Sequence, residues 1–312
     1  MQMPYVLDDR FIHDILERLI THGTDVQFYD RISYIDEIIS YIEEKELGVI
    51  YICDNIYDID IAGTQLCDVL YAHTYDGAIR DQLLQLAIII DKAVRFDSAD
   101  YIYSAEYIKD APFLLSSFIS NTVSGIISQN ATSLISGWDN KKNILITDCE
   151  QAHIAYRIKC YSVLSDFDDI YIERNKIWFN LFFSNRANKF NSFKIAPQIY
   201  KDNVLHHLDY LNDKAQLHFN LQPFPSTFIQ KASSEGIELS PESANTHSCN
   251  WKMNERNITI DRTTVLCEWH TKITKTIGRI HFNINIANEF QAINDKISDK
   301  VIIGIFTDHL SI

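Results

Sequence analysis

Glycine, proline and methionine are scarce in this chain, at 9, 6 and 3 of 312 residues. Neither G-x-G-x-x-G nor G-K-S/T occurs, so nucleotide sites of the familiar phosphate-cradling kinds are unsupported. The six cysteines (Cys53, Cys67, Cys149, Cys160, Cys249, Cys267) are scattered and form no C-x-x-C. That spacing argues against a disulfide scaffold and a structural zinc site, and it predicts reduced thiols in a cytoplasm. The longest apolar stretch, residues 83–90, falls far short of the roughly 20 residues that span a bilayer. The first residues lack a basic start followed by an apolar run, so no secretory signal is expected. No repeat with a period of 20–50 residues is apparent.

What is present is enough apolar residue, 46% of the chain, to build a full core. Its length suits two domains. The abundance of Ile, Tyr, Asn and Asp is the composition expected of a protein from an AT-rich bacterial genome. Charge is unevenly spread. Residues 1–110 carry 22 Asp+Glu against 8 Lys+Arg, whereas the remainder has 20 of each. An acidic N-terminal third repels nucleic-acid phosphates and suits a basic protein partner, although a solvated acidic surface accounts for it equally.

Along the chain, residues 9–22 have helical spacing, 25–29 read as a strand, 32–46 as an amphipathic helix and 48–54 as a buried strand. This predicts a βαβ unit, with any ligand beyond the strand ends near Asp54, itself a natural turn residue. Residues 75–95 form the strongest predicted helix, with an apolar face broad enough for a core or an oligomer interface. A further helix is expected over 105–127. The Ser, Asn, Gly and Lys-rich stretch at 130–143 marks a domain boundary, giving domains 1–130 and 131–312. In the second, residues 166–183 read as a hairpin turning at 173–176. Asp166, Asp168 and Asp169 lack the Gly and distal Glu of a calcium loop. Residues 185–194 interleave basic and aromatic side chains, as nucleic-acid contacts or a solvated loop do. The adjacent His206 and His207 lie on a helix and face different directions. Residues 217–232 read as strand, turn and helix, and 233–250 as a polar loop leading into a C-terminal β module, 237–312.

Chemistry concentrates in that module. Glu268, His270 and Lys272 alternate along a predicted strand and share a face. Arg279 and His281 repeat the spacing, and His309 follows the last apolar run. In an antiparallel sheet these groups stand side by side, with a hairpin turn at Asp261-Arg262. In one reading Glu268 or His270 acts as base, while Lys272 and Arg279 stabilise a charged phosphorane. In another, Asp261 and Glu268 hold magnesium. The second resembles the D…(D/E)-x-K nuclease pattern, except that Lys272 follows Glu268 by four residues instead of two. A strand with one solvated polar face gives the same alternation without any site.

The segments S-P-E-S-A-N-T, E-W-H-T-K-I, R-I-H-F and V-I-I-G-I-F-T-D-H-L resemble the end of an uncharacterised bacterial family found among phage-defence and mobile-element genes. The resemblance covers about the last 75 residues and implies no particular activity. The R-I-x-F strand followed by V-I-I-G-I is also similar in pattern to RelE-type RNase toxins. Together these readings predict an α/β N-terminal part and an α+β part ending in an antiparallel sheet. They also predict a cytoplasmic bacterial defence component that works in a complex and binds or cleaves nucleic acid. The alternative is a non-enzymatic adaptor that docks a partner through the acidic N-terminal domain.

Overall fold

In a computed structural model the chain forms two compact units, Met1–Val163 and Leu164–Ile312. The structure describes residues 2–23, 26–96, 124–128, 143–194, 197–221, 224–284, 297 and 300–310.

The first unit comprises β1 (Met3–Leu7), α1 (Asp9–His22), α2 (Val26–Glu44), β2 (Gly48–Cys53), β3 (Asp60–Ile61) and β4 (Thr64–Gln65). There follow α3 (Leu66–Leu70), α4 (Gly77–Lys92), β5 (Val94–Phe96), β6 (Ser124–Ile127), β7 (Asn143–Ile146) and α5 (Cys149–Val163). Its main sheet has the order β5-β2-β1-β6-β7 and is parallel throughout. The central strand β1 buries Met3, Tyr5, Val6 and Leu7, the near-continuous apolar run of a strand covered on both faces. The Tyr5 hydroxyl donates to the Ala152 carbonyl at 2.8 Å and ties α5 to the sheet. Helix α4 starts where the Asp76 side chain accepts from Ile79 N–H at 3.1 Å, an N-cap that satisfies a donor left over by the first turn. It buries Leu83, Leu86, Ile89 and Ile90 while Leu84 and Ile88 remain exposed.

The second unit opens with α6 (Phe167–Ile172), α7 (Arg174–Ile177), β8 (Leu181–Phe183), α8 (Pro197–Asp213), α9 (Ala215–Leu221) and α10 (Pro225–Ser234). Next are β9 (Leu239–Pro241), α11 (Ala244–His247), α12 (Asn250–Asn254), β10 (Asn257–Ile260) and β11 (Thr263–Leu266). Strands β12 (Trp269–Lys272), β13 (Arg279–Asn283) and β14 (Val301–Thr307) complete it. Its five-stranded sheet runs β8-β14-β13-β12-β9, antiparallel except for the parallel edge strand β8. One face is packed by helices. Trp269 meets Phe228 of α10 at 5.2 Å and Phe219 of α9 at 6.3 Å between ring centroids, both near edge-to-face. Such pairs each contribute about 0.5–1.5 kcal/mol beyond burial, which anchors β12 by its alternate residues and turns the others to the opposite face.

The expected α/β and α+β classes are present, with differences in detail. Residues 26–29 belong to α2, so the βαβ unit begins at β1. The sheet order reverses between β1 and β6, so the crevice rule for such sheets points beyond β1 and β6 and away from Asp54. Residues 166–177 are helical, because Asp166 caps α6 by accepting from Asp168 N–H and this overrides the strand preference of Ile, Tyr and Phe. Residues 217–221 continue α9. Residues 124–127 form a strand, and 97–123 and 129–142 lie outside the described residues. The division between units falls after Val163 instead of near 130, because β7 completes the parallel sheet and α5 is tied to that sheet through Tyr5. In 185–194 the rings of Phe190 and Phe193 are buried, Phe193 against Phe306, which removes them as stacking platforms for bases. Among the described residues, no helix is long and apolar enough to cross a membrane.

Candidate active site on the C-terminal sheet

The open face of the second sheet gathers polar groups by register. His270 pairs directly with His281 on β13 and with Ser240 on β9, and Lys272 pairs with Arg279. Directly opposed residues of antiparallel strands project to the same side, so Ser240, His270 and His281 form a row across three strands. The β13–β14 register shifts between His281 and Phe282, a bulge of the kind that re-aims side chains beside functional sites. Just beyond β9, Glu242 N–H donates to the Glu268 carbonyl at 2.9 Å and sets the Glu242 side chain at the end of this row.

Glu242 is the electrostatic centre. Its Oε1 lies 2.8 Å from Arg256 Nε, 3.5 Å from His270 Nδ1 and 3.6 Å from His281 Nδ1. Arg256 Nη2 donates to Glu242 Oε2 at 3.2 Å, and Arg256 Nη1 donates to the Lys252 carbonyl at 2.6 Å. Helices α11 and α12 deliver Arg256 to this point. Burial alone would raise the Glu242 pKa, but the adjacent His270 and Arg256 outweigh it and push it down to about 2. His281 is pushed down to about 3, first by burial and then by the neighbouring His270. Near neutral pH the site therefore holds a carboxylate beside a neutral imidazole. The second nitrogen of His270, Nε2, lies 3.1 Å from Ser240 Oγ.

These groups line a cavity of about 270 Å³ together with Ser243, Thr246, Lys272, Arg279, His309 and Leu310. Among the described lining residues, Arg256, Lys272 and Arg279 are cationic and Glu242 is the carboxylate, a balance that favours an anionic occupant. Arg279 is held by the carbonyls of Thr274, Lys275 and Gly278, so it braces the β12–β13 loop. Lys272, which also lines the cavity, pairs with the more exposed Glu238.

Of the residues singled out by sequence, His270, Lys272, Arg279, His281 and His309 line this one cavity, and Glu268 and Asp261 do not. The strand expected to run on through Glu268 breaks at Cys267-Glu268: β11 pairs with β10, and β12 joins the larger sheet. Glu268 consequently reaches toward His247, at 4.0 Å, on the exposed side. Asp261 sits at the tip of the β10–β11 hairpin, where Asp261 and Arg262 both take positive φ (43° and 72°), as this tight turn requires. Ser240, Glu242 and Arg256 escaped sequence reasoning. The alternation Glu238-x-Ser240-x-Glu242 was the available signal, hidden within a stretch read as loop.

No protein-family model matches the chain, and neither a curated protein nor a solved structure matches it, so the site is read from its own geometry.

Proposed function

We propose that the C-terminal unit binds and cleaves nucleic acid at this cavity, as a component of a bacterial conflict system working with a protein partner. The observation that carries the reading is the convergence of Glu242, His270 and His281 in a cavity whose remaining charges are cationic. Phosphodiester cleavage needs a group that takes a proton, a group that returns one and a cation beside the developing phosphorane charge. In this reading Glu242, His270 and His281 together activate the attacking group, and Lys272 meets the phosphate. Arg256 keeps Glu242 ionised and in place.

The test is incubation of the full chain with labelled RNA and DNA, with a His270→Gln variant in parallel. Cleavage by the wild type and its loss in the variant support the reading. Absence of both binding and cleavage overturns it and favours the adaptor alternative, in which the acidic N-terminal third docks a basic partner protein.

A further inference from the structure

We infer that Glu242 Oε1, His270 Nδ1 and His281 Nδ1 bind a single divalent first-row transition ion of the zinc type. This inference rests on the catalytic reading of the same cavity and names what that reading leaves open, the means of activating the attacking group.

Buried polar atoms are almost always hydrogen-bonded, and each exception calls for an explanation. Among the described residues, His270 Nδ1 and His281 Nδ1 are buried without a hydrogen-bond partner, and both face Glu242 Oε1, which otherwise meets only Arg256 Nε at 2.8 Å. All three lie within 4.8 Å of one another. Bonds of about 2.1 Å in a tetrahedral zinc site place ligand atoms about 3.4 Å apart. The two separations from Glu242 Oε1, 3.5 and 3.6 Å, already match that edge. One ion at the centre would satisfy all three atoms together.

The surroundings fit as well. Ser240 Oγ lies 3.1 Å from His270 Nε2, a distance at which it can accept an Nε2–H and leave Nδ1 to coordinate, as outer partners of ligating histidines do. Arg256 meets both carboxylate oxygens, Nε at 2.8 Å from Oε1 and Nη2 at 3.2 Å from Oε2, and each oxygen keeps a second lone pair for an ion. Two imidazoles with one carboxylate suit zinc and its first-row neighbours better than magnesium or calcium, which prefer oxygen donors. Three protein ligands leave a coordination position open toward the cavity, the arrangement of catalytic zinc sites and unlike that of closed structural ones. This set replaces the Asp261 and Glu268 magnesium pair suggested by sequence.

The test titrates the chelator-stripped full chain with Zn²⁺ by calorimetry and with Co²⁺ by visible absorption. The expected result is one equivalent bound by the wild type and lost in His270→Gln. Ser240→Ala should weaken it roughly 10–100-fold. His13→Ala should leave it intact, although His13, Asp14 and Glu17 form a second, solvated cluster on α1. Failure of the wild type to bind overturns the inference. So does unchanged binding by a His270→Gln variant with the far-ultraviolet dichroism of the wild type, or a sulfur-to-cobalt band showing that cysteines hold the ion. Binding without nucleic-acid cleavage would support the metal site and overturn the proposed function. Cleavage by a chain shown to be metal-free would support the function and overturn the metal site.

Discussion

Glu242 and Arg256 meet in a buried fork, with Nε 2.8 Å from Oε1 and Nη2 3.2 Å from Oε2, and their side chains are only 6% and 3% exposed. Removing one partner of such a pair strands the other charge away from water. Arg256→Met should therefore destabilise the second unit by about 3–5 kcal/mol, whereas Arg256→Met with Glu242→Leu should recover much of that loss. Urea denaturation of the wild type, of Arg256→Met and Glu242→Leu separately, and of the double variant measures the coupling. A double-variant loss equal to the sum of the two single losses would show that the fork contributes no interaction.

The Lys272–Glu238 pair is a contrasting case. Both side chains are partly exposed, at 26% and 49%, and such pairs contribute less than about 1 kcal/mol. Lys272→Ala should barely move the denaturation midpoint. If Lys272 meets a phosphate, the variant should weaken nucleic-acid binding and reduce the slope of log affinity against log salt by about 0.7 for a single strand. Fluorescence anisotropy over a salt series gives that slope.

Cys267 and Gly304 make a third, purely steric prediction. A Cβ on Gly304 would lie 2.2 Å from Cys267 Sγ. Gly304→Ala should destabilise by about 1–3 kcal/mol through overpacking. Adding Cys267→Ala should relieve part of that loss, as thermal denaturation would show.

His207, buried on α8, supplies a pH dependence away from the candidate site. Burial, with His206 adding to it, pushes its pKa down to about 4. The unfolded chain, with a value near 6.5, takes up the proton first as pH falls. The stability from the neutral ring is thus complete above pH 6.5 and lost progressively between pH 6.5 and 4. The stability difference between pH 7 and pH 4 should be smaller in His207→Gln by on the order of 3 kcal/mol. An unchanged difference would contradict the assignment.

Much of the site face was legible from alternation alone. His270 and Lys272 on one strand, Arg279 and His281 on the next, and the turn at Asp261-Arg262 follow from period-two spacing and turn chemistry. Glu268 was misplaced because residues 263–273 contain no glycine or proline to mark the break between two sheets. Glu242 and Arg256 were invisible for a different reason. They are 14 residues apart in sequence and meet through two short helices that no periodicity announces. Elsewhere, L-H-F-N-L at 217–221 satisfies period two and the helical i, i+4 spacing equally, and packing of α9 against α10 and α8 decided it.

The measurement that bears most directly on the account compares nucleic-acid cleavage by His270→Gln and Glu268→Gln, two neighbours on one chain segment. The cavity-based account predicts a loss of about 10²- to 10⁴-fold for His270→Gln and near wild-type rates for Glu268→Gln. The reverse, activity that depends on Glu268 and tolerates loss of His270, would contradict it.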